Sequence, residues 1–140
     1  MQRFEGQVQL VLYPVAFRPN SAIATQAAWC AGEQDKFWEF HHMLFRRQEL
    51  WHSLAMPLDR LSDFAKDLEL DTTALKSCVE SGRMQSLVQA DKEYAEQLQV
   101  SSTPTLFINT QRFVGAQPET EGELVRLIRQ ELDRVQRAGQ

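Results

Sequence analysis

No apolar run in these 140 residues approaches the ~20 that a helix needs to cross a bilayer, so a membrane-inserted chain is not expected. There is no surplus of positive charge. The formal net charge is -4, whereas recognition of nucleic acid or of an anionic membrane needs a basic face. Arg46-Arg47 and Arg126, Arg129, Arg134 and Arg137 read as solvated helix surfaces. No glycine-rich phosphate loop and no Ser/His/Asp constellation is present, and no cofactor is implied. A metal is not expected either. Of the three histidines, His41 and His42 are adjacent and would project about 100° apart on a helix, and His52 stands apart. The opening Met1-Gln2-Arg3-Phe4-Glu5-Gly6 lacks the apolar segment of a secretory leader, so taken literally the chain is cytoplasmic. Cysteine is scarce: Cys30 and Cys78 are the two in the sequence, and no Cys-x-x-Cys occurs.

What is there describes one globular domain, with 43% hydrophobic and 24% charged residues and no repeat or linker. Val8–Leu12, closed by Tyr13-Pro14, reads as a short strand. Asn20 and Ser21 stand where caps belong for a helix over Ala22–Ala31, with Gly32 as its stop. A second helix is expected over Gln34–Gln48, where Phe37, Phe40, His41, Leu44 and Phe45 form one apolar stripe. That spacing assigns Trp29, Phe37, Trp38, Phe40 and Phe45 to the core, and makes His41 a hydrogen-bonded core histidine. Pro57 opens a stripe of Leu58, Leu61, Phe64, Ala65 and Leu68, and Asp71 caps a helix closed by Gly82. A longer helix runs from Met84 to about Gln99. Ser101–Pro104 is a turn, Thr105–Ile108 and Arg112–Val114 are strands, Gly115 and Pro118 mark the exit, and Leu124, Ile128, Leu132 and Val135 line a last helix.

The order strand, helical block, hairpin, helix resembles the DsbA-like branch of the thioredoxin-fold proteins. The residues that carry the likeness are Ala28–His41 (AWCAGEQDKFWEFH), Leu68–Asp71 with Leu75–Gly82, Val100–Asn109 (VSSTPTLFIN) and Val114–Pro118. The resemblance implies an α/β, thioredoxin-like fold over residues 1–140, with a helical insertion at about 21–99 and a cis-proline loop, hairpin and last helix at about 100–137. It also implies that the family's first strand, its Cys-x-x-Cys and most of the following helix are missing from this stretch, Val8–Leu12 matching the strand after them. Without that central strand three arrangements are open: Val8–Leu12 closes onto Thr105–Ile108, another chain donates a strand, or the protein extends upstream of Met1. Asn109-Thr110 departs from the family's frequent Asn-Gly, which loosens the expected turn.

The function the resemblance implies is thiol–disulfide exchange. Here it is incomplete, because the reaction needs a thiolate, which the family makes at a helix N-terminus, and a resolving cysteine three residues on. Cys30 and Cys78 do not replace that pair. They are two buried apolar thiols, a structural disulfide of the kind found in some extracytoplasmic relatives, or a reactive site. Thr103-Pro104 would be the substrate-docking cis-proline loop, offering backbone groups to an extended peptide or a cysteine-containing client. Two other functions stay open. One is a non-catalytic peptide-binding or assembly module that uses the open strand edge, dimerisation included. The other is a glutathione-dependent transferase or isomerase of the kappa-like branch. The expected compartment becomes extracytoplasmic if a leader and the Cys-x-x-Cys segment lie upstream.

Overall fold

The structure, a computed structural model, describes residues 4–115 and 121–138. It divides into two compact units: Tyr13–Ala95, and Met1–Leu12 together with Glu96–Gln140. The first unit is helical. It contains α1 (Ser21–Gly32), α2 (Phe37–Arg46), a 3₁₀ turn at Gln48–Leu50, α3 (Leu58–Asp67), α4 (Thr72–Glu80) and most of α5 (Gln85–Gln97).

Alanines let these helices pack closely. Ala24, Ala27, Ala28 and Ala31 of α1 are buried, and the space their small side chains leave is filled by Phe40, Leu44, Leu61, Phe64 and Leu75. Asp71 caps α4 as expected, its carboxylate accepting from the amides of Thr73 and Ala74 at 2.9 Å each. Gln34 ties this corner to the end of α1: its side chain accepts from the Asp71 amide at 2.8 Å and donates to the Asp71 carbonyl at 3.2 Å. A salt bridge between Arg83 and Glu33 spans the same side of the unit.

Several local expectations are corrected. Asn20 does not cap α1. Its side-chain amide instead donates to the carbonyls of Trp51, His52 and Leu54 at 3.3, 3.0 and 2.7 Å, fastening the loop after α2 to the start of α1. α1 does end at Gly32, but not through a left-handed glycine. The left-handed residue is Asp35, at φ 58, and the Lys36 amide returns to the Ala31 carbonyl at 3.0 Å. The second helix is shorter than Gln34–Gln48, because that closing turn uses up Gln34 to Lys36. The aromatic cluster is only partly core: Phe40 is fully buried, but Trp38 is 43% and Phe45 68% exposed. A stripe of i, i+3, i+4 and i+8 positions is wider than the groove that α1 and α3 offer, so its margin faces outward.

The second unit holds a two-stranded antiparallel sheet, β1 (Thr105–Ile108) and β2 (Gln111–Val114), and helix α6 (Glu121–Ala138). The register pairs Thr105 with Val114, Leu106 with Phe113, Phe107 with Arg112 and Ile108 with Gln111. At the turn Asn109 takes φ 52. Residues 8–12 form no strand and do not close onto β1, whose partner is β2; Leu10 and Val11 are 52% and 55% exposed. The alternation is real, but a strand is defined by a ladder, and no neighbouring edge among the described residues supplies one. The expectations at Met1 and Pro118 lie outside the described residues.

Candidate functional site

The loop before β1 is built by hydrogen bonds on both sides of Pro104. Thr103 and Pro104 are exposed and joined by a cis peptide bond. The Thr105 hydroxyl donates to the Ser102 carbonyl at 2.7 Å, which holds the turn from inside. The Gly115 amide donates to the Pro104 carbonyl at 2.8 Å and extends the ladder one step beyond β2. Gly115 stands at φ 85, where a side chain would be strained, so glycine is what allows this contact. The main-chain groups of Thr103 have no hydrogen-bond partner among the described residues. They lie at the lip of β1 beside a proline that has no N–H of its own.

The far end of the hairpin is anchored by a buried carboxylate. Glu131 of α6 is 4% exposed and accepts from Asn109 Nδ2 at 3.1 Å, from the side-chain amide of Gln111, and from Arg134 Nη2 at 2.9 Å. The Arg134 guanidinium, first, and then the Asn109 amide hold the Glu131 carboxyl below its usual value of 4.5. A carboxyl whose folded-state pKa is depressed stabilises the fold above the unfolded value and loses that contribution as pH falls through the lower folded value. The protection factors of the Gln111–Val114 amides should therefore fall as the pH is taken below about 4.5, and Glu131→Gln should lose this dependence. Equal pH profiles in the two proteins, followed by hydrogen exchange, would contradict the assignment.

The cysteines lie in the helical unit, away in sequence from this loop. Cys30 of α1 and Cys78 of α4 form a disulfide, with Cα atoms 5.9 Å apart and each residue 1% exposed. Both sit in the last turn of their helices, next to the negative end of the dipole, which disfavours a thiolate. Burial adds to this by denying access to an attacking thiol. The geometry is that of a staple between α1 and α4, not of an exchange centre.

His41 differs from its expected role. It is half-buried, its ring lies 5.8 Å from that of Phe37, and its Nδ1 has no hydrogen-bond partner among the described residues. Burial and then the neighbouring His42 lower its pKa, which favours the neutral ring. His41 and His42 meet edge to face, with ring planes 84° apart. Among the described residues no group of three His, Cys, Asp or Glu side chains is placed to hold a metal.

Two residues that shape this region, Glu131 at the far end of the hairpin and Arg112, were not singled out by the sequence, and Gly115 was read only as the exit from β2. Gly115 carried a signal, since a glycine after a strand points to a left-handed turn. Arg112 and Glu131 carried none beyond being charged.

Comparison with known proteins agrees with this geometry. Residues 2–130 match the model of a family described as Thioredoxin. The Na(+)/H(+) antiporter NhaA 1 of Salinispora arenicola is 34% identical over 99 residues, covering 70% of this chain and 14% of the antiporter. NhaA 3 of Salinispora tropica is 33% identical over 97 residues, covering 69% and 14%. Disulfide bond formation protein D of Bacillus subtilis is 27% identical over 110 residues, covering 75% of this chain and 49% of that protein. The chain thus spans 14% of each antiporter and about half of the Bacillus protein. No solved structure matches. With the family model matched over most of its length, this chain belongs to the DsbA-like, thioredoxin-fold family.

Proposed function

We propose that the two units are parts of one DsbA-like domain serving thiol–disulfide exchange, and that these 140 residues supply its client-docking surface. The observation that carries this reading is the exposed Thr103 at the lip of β1, whose main-chain groups have no hydrogen-bond partner among the described residues. Such an edge accepts an extended peptide by strand addition, in which main-chain hydrogen bonds give the affinity. The client would be an unfolded, cysteine-containing protein. The likeness to a disulfide bond formation protein supports that partner class. The bridge between Cys30 and Cys78 supports an oxidising, extracytoplasmic compartment, since disulfides persist there. With both cysteines of the sequence in a shut bridge, docking is the part of the function this stretch performs by itself.

The test is fluorescence anisotropy of a short labelled peptide that alternates Thr and Val around one Ser. The wild-type chain should bind it. Thr103→Pro removes the amide donor and should weaken binding about tenfold, the equivalent of one main-chain hydrogen bond. Absence of binding by the wild type, or equal binding by a folded Thr103→Pro variant, would overturn the proposal.

A further inference from the structure

We infer that Arg112 is a positioning residue for the docking loop, a role that rests on the function proposed above. The loop has two ends. Its β1 end is fixed through Ser102, Pro104 and Gly115. Its other end follows α5, which closes at Gln97; Gln99 then turns the chain at φ 53, and four residues, Val100 to Thr103, separate that turn from Pro104. Whatever fixes Leu98 and Gln99 therefore sets where Thr103 can lie.

Arg112 fixes them. Its Nη1 donates to the Leu98 carbonyl at 3.0 Å and its Nη2 to the Gln99 carbonyl at 2.6 Å. The guanidinium is aimed by the sheet: Arg112 stands opposite Phe107 in the register, and its Cζ lies 5.8 Å from the centre of that ring. Among the described residues Arg112 has no carboxylate partner, so its donors serve main-chain carbonyls. Those carbonyls are at the negative end of α5, which complements a cation. A planar fork can reach two successive carbonyls at once, whereas a lysine ammonium is a single point charge. Arg112 thus links the sheet that a client would extend to the helix end from which the loop departs. An ordinary surface cap would alter stability slightly and leave docking untouched.

The experiment measures binding of the same Ser-containing peptide to wild type, Arg112→Gln and Arg112→Lys, with urea unfolding of each. Arg112→Gln should bind about tenfold more weakly. Arg112→Lys should recover only part of that loss, and amide exchange at Ser101–Thr103 should rise in step with the weakening in both variants. Arg112→Lys keeps the charge and the long stem, so it remains informative should the glutamine variant unfold. A folded Arg112→Lys chain that binds as tightly as wild type would overturn the inference while leaving the docking proposal standing. A wild-type chain that binds no peptide would overturn both.

Discussion

Replacing Cys30 and Cys78 together with Ala should lower the unfolding free energy of the helical unit by about 4 kcal/mol. The bridge closes a loop with a sequence separation of 48, and the chain-entropy relation for a loop of that size gives about that figure. Both sulfurs are buried in the same cluster as Ala27, Phe40 and Leu75, so the staple joins α1 to α4 at the centre of the unit. Urea unfolding followed by far-UV circular dichroism checks this. Reductant in the unfolding buffer should move the wild-type midpoint close to that of the double variant, and should leave the double variant unchanged. A wild-type midpoint indifferent to reductant would mean that the two cysteines act only as small apolar side chains.

Phe40→Ala should cost the same unit about 3–5 kcal/mol, the usual range for removing a fully buried phenyl ring from a close-packed site. Phe40 is 0% exposed and packs in one cluster with Ala27, Ala31, Leu61, Phe64 and Leu75. Phe45→Ala, on the same helix, should change stability by no more than about 0.5 kcal/mol, because its ring is 68% exposed. The pair makes a controlled comparison: residue type and helix are the same, and burial is what differs. Chemical denaturation of both variants separates them, and comparable losses would contradict the packing described for α2.

Phe40 and Phe45 also show where the sequence stopped being informative. Hydrophobic periodicity located the helices, since a 3.6-residue repeat is a property of the chain itself. It could not rank positions within the stripe of α2, because the width of the groove between α1 and α3 is a tertiary quantity. Asn20 is a similar case. Its residue type suits a cap, yet three carbonyls of the loop after α2 compete for its amide and win. Val8–Leu12 had the alternation of a strand, and pairing depends on a neighbour that alternation does not provide. At the site, Thr103 and Pro104 were legible through the VSSTPTLFIN stretch and its resemblance to the family. Arg112 was not: its meaning lies in the carbonyls it reaches, and those became apparent only once the hairpin register placed it opposite Phe107.

The docking and redox sides of the account meet in the Cys30–Cys78 bridge. A disulfide at the negative ends of two helices, with both partners 1% exposed, has neither an accessible sulfur nor a stabilised thiolate leaving group. Electron exchange with a client would then require thiols other than these two. The loop at Thr103-Pro104, in contrast, is exposed, and the Thr103 main-chain groups have no hydrogen-bond partner among the described residues.

The most direct test is a nuclear magnetic resonance titration of the isotope-labelled 140-residue chain with the Thr/Val peptide carrying Cys in place of its central Ser. Amide shifts should move along Ser101–Ile108 while the Cβ shifts of Cys30 and Cys78 stay at their oxidised values throughout. Movement of those two Cβ resonances to reduced values, with the peptide becoming covalently attached, would contradict the account.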